Sequence, residues 1–303
     1  MESGKQAVNF SRLDPLLARY LDWLDGHGVR FDVGARLIHG ADHDGPLLEG
    51  DEPFRPLELP GLPPFVEHRD PAAGIGADHA TLFLLRVLLE AGHVGRGDRF
   101  WDVGCGTGVV AVAAGLAGAR GIIATDVDPR ALVLARRTAA EADVAVTFKE
   151  GSLLSPVPDG QRADVVTANL PHKPAPDGAL PVAQAGGPEG DAVLGAFAGE
   201  AARRLDPGAR VFFFLHSLPH PRLLEAFAPA CDLAILGWTR RYLRRGEYGP
   251  LQEAFLERAR SLWIFMPGRR HFRPAVGFPE QAELLGAFAR SHGVPDAAGV
   301  MRG

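Results

Sequence analysis

Between residues 98 and 217 short apolar runs alternate with amphipathic helical ones, and this alternation limits the possible folds more than any other feature of the chain. DRFWDVG (98–104) reads as a strand and GVVAVAAGLAG (108–118) as a helix. GIIATD (121–126) is a strand, and the helix after it opens with Pro129 in its first turn. VTFKEG (146–151) and ADVVTAN (163–169) are further strands, DAVLGAFAGEAARRL (191–205) a helix and ARVFFFLHS (209–217) a strand. The pattern continues with a helix at 221–230, a strand at 232–243, a helical segment at 250–260 and a last strand at 261–268. Strands that are apolar throughout need helices on both faces of their sheet. The expected class is therefore α/β, a doubly wound sheet of seven strands.

Upstream the pattern differs. Residues 11–24 place Leu13, Leu16, Leu17, Tyr20, Leu21 and Leu24 at helical spacing. FRPLELPGLPPFVEH (54–68) holds two short edge strands around a Pro-Gly turn. DHATLFLLRVLLEA (78–91) is an amphipathic helix capped by Asp78. The expected organisation is an N-terminal helical and hairpin element over residues 1–75 on the substrate side. The sheet domain then spans 76–303, with a charged insert at about 240–260. Two cysteines exclude a disulfide framework, and the eleven histidines include no HExxH motif, so no metal is expected. No apolar stretch is long enough to cross a bilayer, which gives a cytoplasmic expectation with no membrane partner.

In WDVGCGTGVV three glycines follow a strand and open a helix, which lets the backbone turn tightly and approach a ligand. Asp126 ends the next strand, where an acid binds ribose hydroxyls. The loop reads as a nucleoside site. The dinucleotide fingerprint wants Gly or Ala at position 109, which is Val109, and Asp102 beside the first glycine is awkward for a pyrophosphate. An acid there suits a cationic ligand such as S-adenosylmethionine, which has an ammonium and a sulfonium and no phosphate.

The string DVGCGTG with TDVD downstream resembles the class I, Rossmann-like S-adenosylmethionine-dependent methyltransferases. The resemblance implies that Asp102, Gly104, Cys105, Gly106, Thr107 and Gly108 cradle the methionine part, and that Asp126 takes the ribose, with Val127 beside it also at the cofactor. Gly151, Ser152 and Leu153 would flank adenine. ANLPHKP resembles the (D/N)-P-P-(Y/F) motif of enzymes that methylate planar nitrogens: Asn169 and Pro171 match, while Leu170 and His172 depart. AGGPEGDAVLGAF (185–197) resembles a segment of the protein-(glutamine-N5) methyltransferases. By this likeness Asn169 and Leu170 supply carbonyl oxygens that accept the N–H of an acceptor, and Asn169 also borders the cofactor. His172 stacks on the acceptor or takes its proton.

Asp78, His79, Thr81, Asp177, Glu189 and His216 are further candidates for the acceptor pocket. The basic runs RRYLRR (240–245) and GRRHFR (268–273) could hold phosphates or a carboxylate, but a net charge of −5 disfavours nucleic acid. The expected activity is N-methylation of a planar nitrogen in a small molecule, possibly arginine. A protein glutamine or an RNA/DNA base is the alternative acceptor, and a non-catalytic cofactor-binding partner the second alternative. Oligomeric state is left open.

Overall fold

The computed structural model describes residues 31–40, 50–173, 180–188, 190–215 and 233–239. In chain order its elements are β1 (Phe31–His39), β2 (Phe54–Leu57), β3 (Phe65–His68), α1 (His79–Glu90), β4 (Arg99–Val103), α2 (Val109–Leu116), β5 (Arg120–Asp126), α3 (Pro129–Glu141), β6 (Val146–Glu150), β7 (Val165–Ala168), α4 (Ala192–Arg204), β8 (Arg210–Phe213) and β9 (Leu233–Trp238).

The chain divides into two compact units. The first, Gly45–Pro171 with Ala196–Leu215, carries a five-stranded sheet in the order β6-β5-β4-β7-β8. All its pairings are parallel. The chain winds outward from β4 to β6, then returns to start β7 on the other side of β4. Ligands of such sheets bind at this reversal, outside the carboxyl ends of the strands. The β4–β7 register pairs Val103 with Ala168, so the glycine loop and Asn169 leave the sheet at the same level.

Burial explains the strand sequences. Phe100, Trp101, Val103, Ala124, Val165, Val166 and Ala168 are all buried, since helices cover both faces. Helix α2 is buried from Val109 to Ala114, which accounts for its lack of polar residues. Helix α3 buries Ala131, Leu132, Ala135 and Ala139, one face at helical spacing, and Asp128 caps it through the Arg130 amide. The β2–β3 hairpin is antiparallel, pairing Phe54 with His68 and Leu57 with Phe65. The His68 amide donates to Thr138 Oγ1 at 3.0 Å, which fastens the hairpin to α3.

In the second unit β1 and β9 form a parallel pair, with Phe31 opposite Leu233 and, after an irregularity, His39 opposite Trp238. The described residues do not confirm the seven-stranded count. The sheet has five strands among the described residues, and the strand read at 232–243 pairs with β1 instead. Strand β1 was missed although Phe31, Val33, Ala35 and Leu37 alternate with Asp32, Gly34 and Arg36 at strand period. Its partner lies at the other end of the chain, and no local period encodes such a pairing. The helices read at 11–24, 221–230 and 250–260, the strand at 261–268 and both basic runs lie outside the described residues.

Candidate cofactor and acceptor site

Residues 104–108 form the turn between β4 and α2. Gly104, Gly106 and Gly108 have φ of +70°, +53° and +75°, in the left-handed region that side chains disfavour. The Gly104 and Cys105 amides donate to the Thr125 carbonyl at 2.8 and 2.9 Å, and the Gly106 amide donates to Asp126 Oδ2 at 2.8 Å. The turn is thus tied to the carboxyl end of β5. A Cβ at Gly104 would lie 2.7 Å from Leu170 Cδ2, and one at Gly108 3.0 Å from Ala135 Cβ. A Cβ at Gly106 would meet nothing within 4 Å, so the middle of the turn faces open space. Cys105 is buried, and burial raises its thiol pKa well above the usual value, so its side chain packs.

Asp102 is 3% exposed. Its Oδ1 accepts from the Thr167 hydroxyl at 2.9 Å, while its buried Oδ2 has no hydrogen-bond partner. Burial pushes this carboxyl up to about 7; the Thr167 hydroxyl and the Ala111 amide oppose the shift, and the charge of Asp126 adds to it. A buried acid with an unsatisfied oxygen is costly by itself and fits a site that receives a cation. The ammonium of S-adenosylmethionine is such a group, so the residues present fit the cofactor.

A pH dependence follows. An ammonium pairs with the carboxylate, so binding below the pKa must displace a proton. S-adenosylmethionine affinity is expected to weaken by about tenfold per pH unit below 7 and to level off above it. Titration calorimetry across pH 5.5–8.5 checks this, and Asp102→Asn removes the slope. The sign for the ligand-free fold is opposite. Its carboxyl pKa lies above the unfolded value, so Asp102 subtracts stability as pH rises from about 4 to about 7.

Asp126 accepts the Gly106 amide on Oδ2 and the Asp128 amide on Oδ1, at 2.8 and 2.9 Å. Burial raises its pKa and these amides pull it back. Val127, beside it, is 51% exposed, which suits a residue that covers a flat ring. The Gly151 amide donates to the Asp126 carbonyl at 2.9 Å. Ser152 is exposed, and Leu153 has φ +51°. Its left-handed backbone costs about 1–2 kcal/mol, and such outliers persist only where the surroundings impose them. The Thr125 hydroxyl holds the Leu153 carbonyl at 2.7 Å, Glu200 Oε2 accepts the Leu154 amide at 2.9 Å, and Arg204 donates to the Leu154 and Val157 carbonyls. Glu200 and Arg204 were missed in the sequence, where they read as the solvated side of a helix.

Asn169 leaves the end of β7 and is fixed by α1. Asp78 caps that helix, accepting the Thr81 amide at 2.8 Å and the Thr81 hydroxyl at 2.9 Å on the same Oδ1. A carboxylate only accepts, so the Thr81 hydroxyl must donate to it. The Thr81 oxygen can then only accept, and it takes Asn169 Nδ2 at 2.8 Å. This chain of donors decides the amide's orientation: its nitrogen faces Thr81, and its Oδ1 is the end left for another N–H. Asp78 and Thr81, two of the predicted pocket residues, thereby join Asn169. His79 opens the helix with its ring partly buried.

The remaining candidates are placed differently. Leu170 is 4% exposed, its side chain against Gly104, so it packs under the cofactor turn. Pro171 is partly buried. The Thr107 hydroxyl, expected at the cofactor, donates to Glu67 Oε1 at 2.7 Å, leaving the residue's backbone for ligand contact. His172 falls in the second unit and is 5% exposed. A Cβ at Gly186 would lie 2.6 Å from the His172 Cα, so the Gly-Gly of AGGPEG is needed for backbone packing there. Lys173 is buried too, with Nζ 3.1 Å from Gln184 Oε1. Asp177, Glu189 and His216 lie outside the described residues.

A parallel sheet with glycine turn, spaced acid and strand-end Asn at its reversal is the architecture of the class I, Rossmann-like S-adenosylmethionine-dependent methyltransferases, and the chain carries such a domain. Residues 70–178 match the family model of ribosomal protein L11 methyltransferase (PrmA). A ribosomal protein L11 methyltransferase from Pelotomaculum thermopropionicum is 39% identical over 142 residues, covering 46% of this chain and 39% of that protein. One from Geobacter sulfurreducens is 36% identical over 158 residues, covering 51% of this chain and 47% of that protein. The chain thus spans less than half the length of these relatives. Among solved structures, a ribosomal protein L11 methylase from Lactobacillus delbrueckii subsp. bulgaricus aligns with 23% identity and a TM-score of 0.42, covering 54% of this chain and 74% of that one.

These findings overturn the expected small-molecule acceptor, because the relatives are named for a ribosomal protein. The motif reading failed there because such a motif speaks only to the kind of acceptor atom it would hold and says nothing about the size of its bearer. The model that matches is of the L11 type, whereas the sequence likeness had pointed to the glutamine-N5 branch. Among the described residues no helix is long and apolar enough to cross a membrane.

Proposed function

We propose that the chain transfers a methyl group from S-adenosylmethionine to a side-chain nitrogen of a protein, with a ribosomal protein as the first candidate. The observation that carries this reading is the locked Asn169 amide beside the cofactor turn. Its Oδ1 accepts an acceptor N–H, which holds the nitrogen in one orientation with its lone pair toward the methyl donor. Positioning of this kind supplies about 7 kcal/mol or more of a barrier in ideal cases. As the nitrogen gains charge its N–H becomes a stronger donor, so the bond to Oδ1 tightens in the transition state. The cofactor, when bound, supplies the electrophilic methyl carbon. Asp102 holds its ammonium and Asp126 its ribose hydroxyls, and Val127 covers the base. The names of the relatives support a protein acceptor.

The test uses methyl-labelled S-adenosylmethionine with ribosomal subunits from cells lacking their own L11 methyltransferase, and with free arginine, free glutamine and ribosomal RNA alongside. Label in a ribosomal protein is the expected result. Label confined to RNA, or in none of these while S-adenosylmethionine binds normally, defeats the acceptor assignment.

A further inference from the structure

We infer that Glu67 is a positioning residue that sets the cofactor turn and the acceptor-side helix at a fixed distance from each other. Its side chain is 0% exposed and accepts four hydrogen bonds from three places in the first unit. Oε1 takes the Ala77 amide at 2.6 Å and the Thr107 hydroxyl at 2.7 Å. Oε2 takes Nε and Nη2 of Arg55 at 3.0 and 2.7 Å. Arg55 Nη2 also donates to the Ala77 carbonyl at 2.8 Å, so both polar groups of Ala77 are held by this pair.

The two ends of this strut matter for chemistry. Thr107 sits in the middle of the cofactor turn, between the glycine whose amide binds Asp126 and the glycine that starts α2. Ala77 immediately precedes Asp78, which orients Thr81 and through it Asn169. One buried carboxylate therefore fixes the donor side to the acceptor side, and the hairpin supplies both it and its counter-charge. All four neighbours are donors, so a carboxylate is required: a glutamine would turn its NH2 toward a donor on one side or the other. Burial makes the arrangement stiff, since breaking one contact leaves a charged group unsatisfied.

The test reads cofactor binding and depends on the cofactor assignment only, so a failed search for an acceptor leaves it standing. Thr107→Val removes the hydroxyl at nearly constant volume, and Thr107→Ser restores it. Thr107→Val is expected to weaken binding of S-adenosylmethionine and S-adenosylhomocysteine by about tenfold in calorimetry, the worth of one hydrogen bond to a charged group, with Thr107→Ser within about twofold of the parent. Glu67→Gln weakens binding at least as much, and adding Thr107→Val to it costs little more, because the Thr107 hydroxyl acts through its bond to Glu67. A purely structural role lowers the melting temperature without this rescue pattern. Affinity of Thr107→Val within twofold of the parent, or failure of Thr107→Ser to restore it, overturns the inference. Where Glu67→Gln does not fold, the two Thr107 variants decide alone.

Discussion

Asn169→Ala is expected to slow methyl transfer by about 10²-fold or more while leaving S-adenosylmethionine affinity within about threefold, the pattern of an interaction made in the transition state. The reason is geometric. Asn169 Nδ2 is engaged by Thr81, which Asp78 turns into an obligate acceptor, so Oδ1 is the end left for the acceptor N–H in the proposed reaction. Alanine removes that acceptor and leaves the cradle at 104–108 untouched. Thr81→Val separates orientation from presence: the amide remains but can flip, so a smaller loss, about tenfold, is expected. The measurement is single-turnover transfer of labelled methyl, with cofactor binding measured separately. Equal losses in transfer and cofactor affinity for Asn169→Ala, or no loss in transfer, contradict the role given to Oδ1.

Gly104→Ala is expected to damage both binding and stability. At φ +70° an alanine is strained, and its Cβ would lie 2.7 Å from Leu170 Cδ2. Leu170 is buried directly after Asn169, so its Cδ2 must turn or shift within packed surroundings to make room. Backbone strain and repacking together amount to about 2–4 kcal/mol, which predicts a melting temperature lower by several degrees and cofactor affinity lower by about 100-fold. Because the clash is with one side chain, Leu170→Ala should cost less in the Gly104→Ala background than in the parent, a coupling that a double-mutant cycle measures. Gly106→Ala is the internal comparison: its Cβ would meet no protein atom within 4 Å, so stability falls only by the strain of φ +53°. Equal destabilisation by the two substitutions would show that packing against Leu170 plays no part.

Much of this architecture was legible because its causes are local. Apolar runs bounded by glycine and proline gave β4, β5, β6, β7 and β8 nearly in place, since a strand covered on both faces must be apolar along its length. Asp78 and Asp128 read as caps because an acid at a helix start satisfies amides that nothing else reaches. The hairpin at 54–68 was visible from its Pro-Gly turn. Asp102, the glycines and Asp126 were visible as a set because their spacing follows from one strand-turn-helix unit and the strand after it.

What stayed hidden depends on partners far apart in the chain. Thr107 reads as a ligand residue in its motif, and only the folded hairpin shows its hydroxyl given to Glu67, 40 positions away. Glu200 and Arg204 look like solvent-facing charges, yet they clasp the loop at 151–157. His172 reads as a ring that stacks on the acceptor or takes its proton, and packing with Gly186 accompanies its burial. The sequence alone determined the central strands, the glycine turn and the strand ends that hold the candidate site, because helix and strand periods and glycine's positive φ are properties of neighbouring residues. Tertiary structure alone decided which polar side chains are spent on holding the candidate site, because a hydrogen bond goes to whatever donor or acceptor the fold brings within about 3 Å, wherever that group lies in the chain.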